Sequence, residues 1–310
     1  MITRREFHVV LAGGLVVGPL ARLGVGLQAQ DQRIAGVRVG AQTYSFRSLS
    51  LDETIPAMGR IGLGYCELWQ GQVETDAAIG LPEGLSRQER NAQRRPKLRE
   101  WRLSVPLDHF AAIRRRFDQA GVTLTAYNLS FQNDFTDEEI DRGFEMAKAL
   151  GVDVITASSR VSIAERLDPF AQRHGVTVAF HNHSRVAPDE FATPESFDEA
   201  LRGRSERLAV NLDVGHFTGA GFDPLDYLDG HHERIVSLHL KDKLREGNRN
   251  VPWGQGDTPI AQVLRTLRDR GWDIPAQIEY EYRGENAVAE VTKCFEFCRR
   301  ALADGAGRRA

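Results

Sequence analysis

Residues 176–216 read VTVAFHNHSRVAPDEFATPESFDEALRGRSERLAVNLDVGH. Two short apolar and β-branched runs, 176–180 and 208–212, each end in polar residues. His181-Asn182-His183 follow the first, and Asp213 and then His216 follow the second. Between them Thr193 is suited to cap a helix and Pro194 to occupy its first turn, so 194–201 reads as a short helix. Strand, helix, strand is one βαβ unit, and its polar residues gather where each strand ends.

The rhythm continues in both directions. Strands are expected at 37–46, 64–69, 122–129, 152–158, 176–183, 208–216 (a strand and turn), 234–242 and 273–282. Helices are expected at 51–62, 108–121, 137–151, 163–174, 194–201, 224–229, 259–270 and 285–303. Strict alternation requires parallel strands with crossover helices, and eight such units predict an α/β fold, a single (β/α)8 TIM barrel. No G-x-G-x-x-G follows the first strand, which sets a doubly wound dinucleotide fold aside. Residues 71–105 break the rhythm, with Arg87, Arg90, Arg94, Arg95, Lys97, Arg99 and Arg102 among them. They read as a solvated helical insertion, or as a lid, since βα connections of a barrel lie on its catalytic face.

Composition narrows the function. Of 310 residues, 41% are hydrophobic and 27% charged, which fits a globular chain and neither a disordered nor a multi-span membrane protein. Forty basic against 43 acidic residues give a net charge of −3, so there is no general electrostatic footprint for nucleic acid. Three cysteines make no disulfide framework; Cys294 and Cys298, four apart, read as packed thiols on one helix face. The chain starts M-I-T-R-R-E-F-H, with an apolar, glycine-rich stretch over 9–20 and a cleavage-like Leu27-Gln28-Ala29. This resembles a twin-arginine export signal. It divides the chain into a signal peptide, 1–30, and a barrel domain, 31–310. The expected location is the periplasm, with no stable membrane insertion after signal removal.

A barrel places its site at the C-terminal ends of its strands. There stand Glu67, Asn128, His181 and His183, Asp213 and His216, His239 and Lys241, and Glu279 and Glu281. Residues two apart in a strand share a face, so each of the pairs 181/183, 239/241 and 279/281 can point inward. Burying so many ionisable groups in one barrel is costly unless something compensates them. One divalent metal ion does so, and mixed imidazole and carboxylate ligands suit Mn, Zn, Fe or Co better than Ca or Mg.

HNHS at 181–184, NLDVGHF at 211–217, LHLKD at 238–242, VPWGQGDTPI at 251–260 and IEYEYRGEN at 278–286 resemble the xylose isomerase-like barrel family, often labelled sugar phosphate isomerase/epimerase. The resemblance spans about residues 35–303 and is closest to exported bacterial members with twin-arginine leaders. It implies metal ligands at Asp213, His239 and Glu279, with His181 where many members carry Glu, and His183 as the alternative. It implies a small-molecule carbohydrate as the partner, with no nucleic acid, and allows a homo-oligomer.

The implied reaction is sugar isomerisation or epimerisation through a metal-stabilised enediolate. Glu279 would serve as one base. Glu67 would serve as a second acid/base, or else pair with the arginine-rich insertion. Because His181 replaces one of two carboxylates, a lyase or hydratase acting on a 3-keto sugar or keto-glycoside is the alternative. His183, His216 or Lys241 would then protonate the leaving group. Lys241 is alternatively a contact for a substrate phosphate or carboxylate, although export argues against phosphorylated substrates. Gln42, Asn128, Trp253 and Glu281 are the expected sugar contacts, Trp253 by stacking or else as packing. A non-catalytic sugar-binding barrel is a third reading. A nuclease resembling endonuclease IV is disfavoured, because that chemistry needs more metal ligands and a basic groove.

Overall fold

The structure, a computed structural model, describes residues 32–304. The export signal expected over 1–30 lies outside them. Eight strands close into a parallel barrel in sequence order: β1 (Val39–Gln42), β2 (Tyr65–Trp69), β3 (Thr123–Asn128), β4 (Val154–Ala157), β5 (Thr177–His181), β6 (Leu208–Asp213), β7 (Ile235–Leu240) and β8 (Ala276–Ile278), with β8 pairing back to β1. Among the described residues ten α-helices surround it: α1 (Leu51–Ile61), α2 (Arg87–Ser104), α3 (Leu107–Gln119), α4 (Asp137–Ala149), α5 (Ala164–His174), α6 (Pro194–Leu201), α7 (Val214–Gly219), α8 (Pro224–His231), α9 (Ile260–Arg270) and α10 (Ala287–Ala303). The predicted TIM barrel is the observed fold.

Local chemistry sets the elements. Ser50, Ser86, Thr136 and Thr193 each cap the helix that follows through a reciprocal capping box, and Gly62, Gly175 and Gly271 end α1, α5 and α9 in the left-handed conformation. The core lies between strands and helices, with Phe46, Phe110, Phe117, Phe144, Phe180 and Phe217 essentially inaccessible. Inside the barrel the period of two holds: Gln42, Glu67, Asn128, Thr156, His181, Asp213 and His239 are buried polar residues at successive strand ends.

Three expectations are corrected. The last strand is three residues, not ten. Pro275 lacks the N–H a longer ladder needs, and past Ile278 the backbone turns to Ser45, whose hydroxyl donates to Ile278 O (2.9 Å) and accepts from Tyr280 N (2.9 Å). Residues 214–219 are helical rather than a turn, because the Asp213 carboxylate accepts the His216 N–H (2.6 Å) at the helix start. Segment 71–105 holds the expected helical insertion, α2, but Arg90, Arg94, Arg95, Arg99 and Arg102 hold carboxylates rather than being simply solvated. Arg102 is buried against Glu74 (2.7 Å), and Arg95 and Arg99 clasp the buried Glu139 of α4 (both 2.8 Å). Among the described residues, none of 71–105 lines the pocket described below.

Candidate metal centre

Strand ends bring His181, Asp213, His239 and Glu279 together. All four are buried, and one ligand atom of each lies within 4.8 Å of those of the others. The set is two imidazoles and two carboxylates, drawn from β5, β6, β7 and the residue after β8.

The donors suit a divalent ion. His181 Nδ1 is buried without a hydrogen-bond partner, while its Nε2 stands 4.0 Å from Asp213 Oδ2, which is buried and ion-paired with Lys241 Nζ (3.1 Å). An orphaned atom such as His181 Nδ1 is expensive unless something else occupies it. Burial, with His239 and His183 nearby, holds His181 well below its usual pKa, so the ring is neutral with a lone pair to give.

Without an ion, the charges satisfy one another. The His239 ring is clasped between two carboxylates, with Nδ1 2.8 Å from Glu279 Oε2 and Nε2 2.9 Å from Glu67 Oε2. Burial opposes charge on this ring, but Glu67 and Glu279 outweigh it and lift the pKa to about 10. Lys241, 2% exposed, lies 3.1 Å from Asp213, 3.1 Å from Glu279 and 2.7 Å from Glu281. Burial disfavours its charge, yet these carboxylates keep it cationic. Burial likewise pushes Glu279 up, but Lys241 and His239 overcome this and hold it well below the usual carboxylate range.

Above the cluster opens a pocket of about 350 Å³, lined by Gln42, Tyr44, Trp69, Asn128, Ser130, Ser158, His181, His183, His216, Glu279 and Glu281. Most of the expected residues converge here. β5 stops at His181 because the Asn182 side chain turns aside to pair with the Asp213 backbone (Nδ2 to O 3.1 Å; N to Oδ1 2.9 Å). His183 therefore stands at the mouth, its ring 5.0 Å from that of His181 and 5.3 Å from that of His216. These three histidines form a second, more exposed group of candidate ligands.

His216 is neutral, held far down by burial and by Lys241. An ammonium only donates, so His216 Nε2 accepts from Lys241 (3.1 Å) and Nδ1–H faces Ser184 Oγ (2.7 Å).

Other residues sit differently from expectation. Glu67 is fully buried below His239, does not line the pocket and does not pair with the arginine-rich insertion. Lys241 faces three carboxylates and His216, and it does not line the pocket. Trp253 lines a separate cavity with Phe297, its ring edge-on at 5.7 Å, and does not line the pocket above the cluster. Its motif serves the loop instead: Asp242 accepts the N–H groups of Gly254 (2.7 Å), Gly256 (3.0 Å) and Thr258 (3.3 Å). A Cβ on Gly256 would lie 2.1 Å from Asp242 Oδ1, so only glycine fits there.

The sequence reading missed Tyr44, Trp69, Ser130 and Ser158. Trp69 was readable, since it follows Glu67 by two in β2 and so shares its face.

The family model for the xylose isomerase-like TIM barrel matches residues 86–301. The chain is 30% identical over 124 residues to the rhizopine catabolism protein MocC of Rhizobium meliloti, covering 38% of this chain and 35% of that protein. It is 29% identical over 92 residues to the L-ribulose-5-phosphate 3-epimerase UlaE of Salmonella paratyphi A, covering 29% and 32%. It is 25% identical over 135 residues to an inosose dehydratase of Clostridium perfringens, covering 37% and 44%. The matches span less than half the length of each of these relatives. Among solved structures, the IOLI protein with a bound zinc atom superposes with a TM-score of 0.62 at 16% identity, over 87% of this chain and all of that one, which shows the shared fold.

Proposed function

The chain belongs to the xylose isomerase-like TIM barrel family, and from that premise we propose that it is a metal-dependent sugar isomerase or epimerase. The observation that carries this reading is the buried His181–Asp213–His239–Glu279 cluster at the floor of a pocket walled by amide, hydroxyl and aromatic groups. A divalent ion held by these four residues supplies a Lewis acid for a carbonyl and its neighbouring hydroxyl.

The chain's own groups do the rest. Glu279 borders the pocket as a carboxylate and can take the proton beside the carbonyl. Gln42, Asn128 and Glu281 offer donors and acceptors to sugar hydroxyls, and Trp69 and Tyr44, edge to face at 4.9 Å, give an apolar wall for a ring face. His216 returns a proton through the Ser184–His216–Lys241 chain.

One feature favours a second reading, a lyase or hydratase. Carboxylates border the pocket on the Glu279–Glu281 side, whereas His181, His183 and His216 gather from β5 and α7. One base and one imidazole acid suit elimination. Glu279 would take the proton α to a carbonyl, the β C–O bond would break, and the leaving oxygen would take a proton from histidine. The inosose dehydratase relative is consistent with this chemistry.

The test is metal content by plasma mass spectrometry on wild type, His181→Ala, His183→Ala and Glu279→Ala. About one Mn, Zn, Fe or Co per chain is expected, lost with His181→Ala or Glu279→Ala and kept with His183→Ala. Free and 3-keto sugars then separate a new stereoisomer from an unsaturated product. Wild type free of metal after supplementation overturns the catalytic reading in favour of a sugar-binding barrel. We further propose export to the periplasm, supported by the twin-arginine pattern at Arg4 and Arg5; fractionation of cells carrying Arg4→Lys/Arg5→Lys tests it.

A further inference from the structure

We propose that Glu67 is a positioning residue that fixes the His239 ring with Nδ1 turned into the ligand cluster, and thereby sets the affinity of the site for its ion. The inference rests on the metal reading above. Glu67 comes from β2, across the barrel from β7, and is 0% exposed. Its carboxylate is itself held rigidly. Oε1 accepts from Gln42 Nε2 (2.7 Å) and Thr156 Oγ1 (2.7 Å), and the Thr156 hydroxyl is braced by Asn128 Nδ2 (3.1 Å). Residues of β1 and β4 thus orient the group, which presents both oxygens to His239 Nε2 (Oε2 2.9 Å, Oε1 3.0 Å). Asn211 Nδ2 lies 3.1 Å from the same nitrogen and, since a protonated Nε2 accepts nothing, closes that side of the ring by packing.

A carboxylate oxygen accepts, and both ring nitrogens face one, Nε2 toward Glu67 and Nδ1 toward Glu279 (2.8 Å), so both donate here. An ion held by the four ligands would take the place of the Nδ1 proton, and Glu67 would keep the other on Nε2, leaving the Nδ1 lone pair turned to the cluster. The sheet is shaped for this contact: the two breaks in strand register fall at Cys66/Glu67 and Val210/Asn211, beside the two residues that touch Nε2. A carboxylate behind a ligating histidine orients the ring and raises its basicity, and its loss typically weakens metal binding 10- to 100-fold. Glu67 is 0% exposed and lines no part of the pocket.

The test uses the full chain and Co²⁺ and Zn²⁺ as probes. Glu67→Gln keeps size and hydrogen-bonding capacity but removes the charge. Binding is read by competition with a chromophoric chelator, and the His239 tautomer by ¹⁵N-edited spectra of the zinc-loaded protein, assigned with His239→Asn. Expected are binding weakened about 10- to 100-fold and loss of the Nε2–H, Nδ1-bound signature. Thr156→Val, which removes one brace and keeps the charge, should give a smaller loss; it carries the test if Glu67→Gln fails to fold. Wild-type affinity and an unchanged tautomer in the variant overturn the proposal and leave the metal reading standing, even if the ion-free protein melts earlier. A wild type that binds neither ion overturns both.

Discussion

Lys241 balances more charge than any other residue of the site. One ammonium faces Asp213, Glu279 and Glu281, all within 3.1 Å. Lys241→Met keeps the length and removes that charge. Leaving buried carboxylates without their cation typically costs about 3–5 kcal/mol. The ion-free variant should therefore lose about that much stability in urea, and added Zn²⁺ should restore a substantial part of it; equal loss with and without zinc would separate the lysine from the ion site. The sequence shows why such residues were partly legible. Period two marked 181, 239, 241, 279 and 281 as able to face inward, and the structure buries His181, His239, Lys241 and Glu279. It did not show that Asn182 would bend the chain and carry His183 out of line. Nor did it pair Glu67 with a histidine 172 positions away, because no local pattern encodes which strand faces which across a closed barrel.

The helices carry the next lesson. The arginines of α2 looked like a solvated face because their partners lie elsewhere: Glu74 and Asp76 follow β2, while Asp134 and Glu139 precede or open α4. The result is a brace between the second and third βα connections. Glu139 is its centre, 1% exposed. Burial would raise its carboxyl, but Arg95 and Arg99 outweigh that and depress the pKa from 4.5 to about 2. A carboxyl depressed on folding contributes stability in full above its unfolded pKa and loses it as pH falls through the folded one. Glu139→Gln, which preserves the capping box with Thr136, should cost about 2–3 kcal/mol at pH 7. That difference should shrink as denaturation is repeated from pH 5 down toward pH 2. A difference independent of pH would mean the brace acts by shape alone.

At the scale of the whole molecule the strand and helix count sufficed to give the barrel, because parallel strands with crossover helices close in few ways. The short eighth strand and α7 were invisible to that count, since both depend on side chains, Ser45 and Asp213, acting on distant or irregular backbone. Cys66, Cys294 and Cys298 are buried free thiols. Burial pushes the Cys294 thiol up to about 12, so the native protein should resist alkylation and melt at the same temperature with or without reductant. An ion binding only the folded barrel at about 1,000 times its dissociation constant adds about 4 kcal/mol. The melting temperature should accordingly rise by several degrees over a chelated sample, and an unchanged value would argue against occupancy of the cluster.

The wall of the pocket has an optical consequence. Of the chain's four tryptophans, Trp69 alone lines the cavity above the ligand set. An indole so placed is a donor for energy transfer to an absorbing ion such as Co²⁺, and an antenna for Tb³⁺. The filling of the barrel floor is thus open to being watched by emission, in an unlabelled chain and in real time.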